Sequence, residues 1–263
     1  WWSPDSTRIA FLQFDVNAQP VYPHASLLPL APVYEPQRYP KAGQPNATVR
    51  LGVVAARGGK TRWMDVSATS DTLLTRVDGT PDGRALYAQR LNRVQNRLEL
   101  LRADAVSGKV TPVVTEEDRY CVNLGPGPVF VKNGAEFLWT SERIGFRHIY
   151  RYSADGRLLA QLTSGDWEVT EIAGLDEPGG QVYFVSTEAG PLERHLYRVP
   201  LGGGPRTKIT TTPGTHAISG APGCQHLLDT VSSLRQPTRR VLLDPTGTEL
   251  AVVDDSGAGI LED

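Results

Sequence analysis

Apolar residues recur at every second position through much of the chain. Arg8-Ile9-Ala10-Phe11-Leu12-Gln13-Phe14, Thr48-Val49-Arg50-Leu51-Gly52-Val53 and Arg97-Leu98-Glu99-Leu100-Leu101-Arg102 alternate in this way. That is the period of a strand with one face turned to a core. Glu136-Phe137-Leu138-Trp139-Thr140 and Gln181-Val182-Tyr183-Phe184-Val185 add short β-rich runs that read as half-buried strands. Between them stand Asp78-Gly79, Asp82-Gly83, Asn133-Gly134, Asp155-Gly156 and Gly179-Gly180, pairs that supply the positive φ angles of tight hairpins. No stretch longer than ~10 residues sets apolar positions at helical spacing between two caps. The pattern predicts an all-β chain.

The hairpins repeat. Thr80-Pro81-Asp82-Gly83-Arg84-Ala85-Leu86-Tyr87 parallels Ser3-Pro4-Asp5-Ser6-Thr7-Arg8-Ile9-Ala10-Phe11, and the same turn returns near Gly134, Gly180 and Gly223. A second hairpin runs from His148-Ile149-Tyr150 through Asp155-Gly156 to Leu162-Thr163. It recurs as His195-Leu196-Tyr197 through Gly202-Gly203-Gly204 to Ile209-Thr210. A repeat of ~40–50 residues with four short strands is the mark of a β-propeller blade. The chain holds about five such blades, so it reads as a fragment of a larger propeller. Residues 17–45 interrupt the first blade with Pro20, Pro23, Pro29, Pro32, Pro36, Pro40 and Pro45, and carry few strand signals. They are expected to form an inserted arm or a plain surface loop. Tyr22, Leu27, Leu28, Leu30, Val33, Tyr34 and Tyr39 are too apolar to sit comfortably in water and favour the arm.

Composition narrows the chemistry. Lys plus Arg is 27 against 29 for Asp plus Glu, which lacks the basic excess of a nucleic-acid-binding domain. Cys121 and Cys224, the two cysteines, form no Cys-x-x-Cys motif; they read as separate buried thiols or as one bridge. His24, His148, His195, His216 and His226 fall at no zinc-ligand spacing. No metal or cofactor is implied. No apolar run approaches the ~18 residues of a membrane helix.

Several stretches in order resemble the N-terminal propeller of the dipeptidyl peptidase IV family, serine peptidases of the prolyl-oligopeptidase type. They are Trp1-Trp2-Ser3-Pro4-Asp5, Arg38-Tyr39-Pro40-Lys41-Ala42-Gly43, Trp139-Thr140-Ser141-Glu142-Arg143 with Gly145-Phe146-Arg147-His148-Ile149-Tyr150, Leu162-Thr163-Ser164-Gly165-Asp166-Trp167-Glu168-Val169 and Leu192-Glu193-Arg194-His195-Leu196-Tyr197. The resemblance implies an eight-bladed propeller over an α/β-hydrolase domain, with residues 1–263 forming part of the propeller and the hydrolase domain lying outside them. It implies release of N-terminal dipeptides with Pro or Ala at the second position, by a Ser-Asp-His triad. The sequence contains no Gly-x-Ser-x-Gly elbow, so no catalytic residue is assigned to it.

The resemblance also implies a glutamate pair that holds the substrate's α-amino group, placed before the Trp-Trp-Ser-Pro motif and so ahead of this chain. Glu116-Glu117 stands in the wrong place for that pair and reads as a solvated turn. Asn123 falls near the family's substrate-contacting loop, although Tyr120-Cys121-Val122 departs from its more charged pattern. The arm matches the insertion through which relatives dimerise, with Tyr22, Leu28, Tyr34 and Tyr39 as expected contacts. His148 and His195 read as structural hydrogen-bonding groups, and Trp63, Trp139 and Trp167 as packing between blades. Glu142, Arg143 and Arg147 read as an inter-strand ion pair or as channel wall. The expected function is the propeller part of a serine dipeptidyl peptidase, walling and gating the substrate cavity and helping to dimerise. The alternative is a non-catalytic interaction scaffold. Both periplasm and cytoplasm of a bacterium stay open as compartments.

Overall fold

The computed structural model describes residues 1–67 and 69–256. Its regular elements are strands and two short 3-10 turns, and no α-helix occurs among the described residues. The chain divides into two units, Trp1–Gly134 and Ala135–Asp263.

In the first unit, β1 (Arg8–Asp15) is followed by β2 (Val21–Ser26), β3 (Val33–Arg38), β4 (Thr48–Ala55) and β5 (Arg62–Trp63). The order β1-β4-β5 makes one sheet, and Trp2 bridges to Ile9 where a further strand would begin. Next, β6 (Thr72–Gly79), β7 (Ala85–Asn92), β8 (Arg97–Asp104) and β9 (Val110–Glu117) form a four-stranded antiparallel sheet in chain order. The short β10 (Val129–Val131) closes the unit.

The second unit opens with β11 (Glu136–Ser141), β12 (His148–Ser153) and β13 (Leu158–Gln161), each antiparallel to the next. Then come β14 (Val169–Asp176), β15 (Gln181–Ser186), β16 (His195–Pro200) and β17 (Thr207–Lys208). The last sheet is β18 (Thr215–Gly220), β19 (Leu227–Ser233), β20 (Gln236–Leu243) and β21 (Glu249–Asp255). Successive four-stranded meanders in chain order are propeller blades, and the chain supplies about five.

The repeated glycines mark one turn. Gly83, Gly134, Gly180 and Gly223 all have positive φ, and each precedes the second strand of its blade. In the first blade Ser6 stands at this place with φ 56°, held in a turn where Asp5 accepts from Ser3 Oγ and the Thr7 amide.

The middle strands are covered on both faces. Phe137, Leu138 and Trp139 on β11 and Val182 to Val185 on β15 are all buried, so these runs are fully rather than half buried, as continuous apolar stretches in stacked sheets must be. The outermost strands stay wet, and β21 is exposed throughout. Charges guard that edge: Arg239 pairs with Glu249 at 2.8 Å.

Within each unit the sheets share a core. Ala10, Leu51 and Val53 of the first sheet cluster with Val77, Ala88 and Ala103 of the second. In the second unit, Leu196 and Ile209 cluster with Ile218, Leu227 and Val241. Trp167 reaches between blades, edge-on to His148 at 4.9 Å and stacked on Phe184 at 6.1 Å. The Trp63 ring meets Phe11 and the Arg50 guanidinium on its own sheet.

The arm is also more regular than its prolines suggest. β2 and β3 form an antiparallel hairpin with Pro23 opposite Pro36. A two-stranded ribbon consists of edges alone, where a residue lacking N–H can face away from its partner.

Candidate functional site

Two surfaces carry the residues singled out by the sequence. The first is the connection from β9 to β10, residues 118–128. Its start is pinned to the β7–β8 turn: the Asp118 amide donates to the Asn96 carbonyl at 3.1 Å and the Val122 amide to the Gln95 carbonyl at 2.8 Å. Asp118 Oδ1 accepts from the amides of Tyr120 and Cys121 at 2.7 and 3.1 Å, an Asx-type turn.

The far end is pinned to the second blade. Arg76 Nε donates to the Gly125 carbonyl at 3.0 Å, and Gln89 Nε2 to that of Pro126 at 3.2 Å. Gly127 lies so close to Asp78 that a Cβ there would stand 2.2 Å from its Oδ2. Burial raises the Asp78 carboxyl above the ordinary carboxylate value, against the pull of Arg76. Asn123 is exposed between these anchors, beside exposed Tyr120 and Leu124.

Sequence reading missed Arg76 and Gln89, and it took Asp78-Gly79 for a hairpin turn, whereas both residues lie in β6 and Gly79 has no positive φ. The available signal was a glutamine inside the apolar run of β7, where a buried amide needs a partner. Two further expectations change here. Cys121 is exposed instead of buried, and both cysteines are free. Glu116 and Glu117 end β9 rather than occupying a turn, with Glu117 paired to Arg97.

The second surface is the arm. Its base is fastened by Arg38 Nη1, which donates to the carbonyls of Asn17 and Gln19 at 3.2 and 2.8 Å. Tyr22, His24 and Tyr39 cluster along the hairpin, and Lys41 Nζ lies 4.4 Å from the Tyr22 ring centroid. Toward the tip the apolar side chains lose cover. Leu28 is 98% exposed, Leu30 109% and Tyr34 70%.

The histidines divide by role. His148 Nδ1 lies 3.1 Å from Thr163 Oγ1, which accepts the Ile149 amide at 2.9 Å. His195 repeats this with Thr210 and the Leu196 amide, at 3.1 and 3.0 Å. These pairs tie the third strand of each blade to the segment that follows its outer strand. Glu142 pairs with Arg147 at 2.7 Å across the β11–β12 turn, while Arg143 stacks 4.6 Å over Tyr150. No group of three metal-ligating side chains occurs among the described residues.

Known proteins agree with this architecture. A family model described as the dipeptidyl peptidase IV N-terminal region matches residues 1–238. A dipeptidyl peptidase 4 named from Aspergillus flavus is 31% identical over 215 residues, covering 76% of this chain and 28% of the relative. The inactive dipeptidyl peptidase 10 of Mus musculus is 32% identical over 216 residues, covering 75% of this chain and 26% of its own length. Among solved structures, Porphyromonas gingivalis dipeptidyl peptidase 4 superposes with a TM-score of 0.88 at 28% identity, covering 98% of this chain and 37% of that one. The chain thus spans little more than a quarter of these curated relatives. With the repeated blades and these matches together, the chain belongs to the dipeptidyl peptidase IV family, as part of its N-terminal propeller region.

Proposed function

We propose that this chain is the propeller portion of a serine dipeptidyl peptidase that releases N-terminal dipeptides with Pro or Ala at the second position. Residues 1–263 wall and gate the substrate cavity, and an α/β-hydrolase domain outside them supplies the triad. The observation that carries the reading is the family match over residues 1–238. Asn123 fits a substrate-contacting role because its connection is anchored at both ends while its own side of the loop stays accessible. The arm fits a dimer contact, since Leu28 and Tyr34 are exposed and Tyr22 and Tyr39 stiffen the hairpin behind them.

Turnover of Gly-Pro-p-nitroanilide tests the division of labour. Full-length protein should release p-nitroaniline and residues 1–263 alone should not. Activity from the shorter chain would overturn it. In the full-length enzyme, Asn123→Ala should raise KM several-fold with kcat nearly unchanged, the mark of a binding contact.

A second reading has one observation in its favour: a relative as similar as the mouse protein is named inactive. On that reading the whole protein is a non-catalytic scaffold. Absence of turnover by correctly folded full-length protein would support it.

A further inference from the structure

His216, on β18, has its side chain 1% exposed, and its partner Asp229, on β19, is 4% exposed. Both imidazole nitrogens face oxygens that accept. Nδ1 lies 2.7 Å from Asp229 Oδ2 and Nε2 lies 2.8 Å from the Thr212 carbonyl. A neutral imidazole has one N–H and one lone pair. It satisfies one of these contacts and sets lone pair against lone pair at the other, unless a second proton is present.

His148 and His195 have no such conflict. Each turns Nδ1 to a threonine hydroxyl that can donate, and Nε2 to an acceptor, the Gly165 carbonyl or Glu193. One proton on Nε2 satisfies each ring. We propose that His216 and Asp229 together hold two protons, one on Nε2 and one within the Nδ1···Oδ2 contact, as a buried latch on the β17–β18 connection.

The surroundings suit a pair of zero net charge. Asp229 Oδ1 is buried without a protein hydrogen-bond partner, a costly place for a bare carboxylate and a cheaper one for a carboxyl whose charge is neutralised next door. The pair borders a cleft of about 210 Å³ shared with Thr210, Thr211, Arg239 and Glu249. Arg239 and Glu249 neutralise each other across β20 and β21. From β16, the His195 ring centroid lies 4.9 Å from that of His216, and His195 itself is engaged by Glu193. Lys208 lies on β17 and Arg198 on β16; Arg240 on β20 pairs loosely with Asp254 at 3.9 Å. β14, which also packs on β18, brings Glu171 and Asp176, the latter accepting the Gly179 amide. β15 carries no charged residue.

The latch governs a seam between consecutive blades. Two residues beyond Thr212, the Gly214 carbonyl accepts the Arg194 amide at 3.1 Å, and the Arg194 carbonyl accepts the His216 amide at 3.0 Å. Removing one proton leaves one acceptor facing another and loosens the hold on Thr212, next to the turn that carries Leu192 and Glu193.

Neutron diffraction from crystals at neutral pD tests this directly. Nuclear density for deuterium is expected both on His216 Nε2 and between Nδ1 and Asp229 Oδ2. Density at only one of these places would overturn the proposal. The variant Asp229→Asn gives an independent readout, because its amide can donate to Nδ1. In ¹⁵N-histidine spectra, His216 should then change from a two-proton contact pattern to the single Nε2–H form of His148 and His195. An unchanged His216 signal in the folded variant would count against the latch; if the variant does not fold, the neutron result decides alone.

Discussion

At the scale of single residues, the two threonine hydroxyls each perform two tasks. Thr163 and Thr210 accept a backbone amide and complete a buried histidine. Thr163→Val or Thr210→Val keeps the shape but strands both partners, which should cost about 1–3 kcal/mol each. Chemical denaturation should show the loss, and serine at either place should restore most of it. Burial, first among the causes, also holds the folded His148 and His195 below their ordinary value of 6.5. The unfolded chain therefore takes up protons that the folded chain resists. Stability should be intact above pH 6.5 and decline as pH falls below it, visible as a falling urea midpoint between pH 7.5 and 5. Asp5 and Asp244, held down to about 2 by hydroxyl and amide donors, titrate well below that window. The histidines' structural role was legible because both precede an apolar-Tyr strand start. The His216–Asp229 pair was not, since 13 residues and a hairpin separate its members.

At the scale of elements, the turn before each blade's second strand obeys one backbone demand. Four blades meet it with glycine and the first with Ser6, at φ 56°. An L-residue in the left-handed region costs ~1–2 kcal/mol, against ~0.5–1 kcal/mol for glycine's extra freedom when unfolded. Ser6→Gly should therefore stabilise the protein by roughly 0.5 kcal/mol, raising its thermal midpoint by a degree or two. Most turns and strands were plain in the sequence because period and φ preference are local properties; Asp78-Gly79, read as a turn, is held extended at the end of β6 instead. The β2–β3 hairpin escaped notice because its prolines argue against a ladder, and only the pairing of Pro23 with Pro36 reconciles them.

At the scale of the whole molecule, the arm carries apolar side chains that the described residues leave uncovered, Leu27, Leu28 and Leu30 among them. If it joins two subunits, deleting residues 20–36 from the full-length protein should halve the mass seen by light scattering while the blades stay folded; an unchanged dimer would remove the arm from the interface. The sequence alone determined that the chain is all-β, that it repeats about every 45 residues, and that it carries no nucleophile elbow. Those properties are written in neighbouring residues, through alternation, turn chemistry and motif. Tertiary structure decided which runs are buried on both faces, where the connection carrying Asn123 is anchored, and that two acceptors converge on His216. Such facts arise from segments that meet only when sheets stack, and no local preference encodes the meeting.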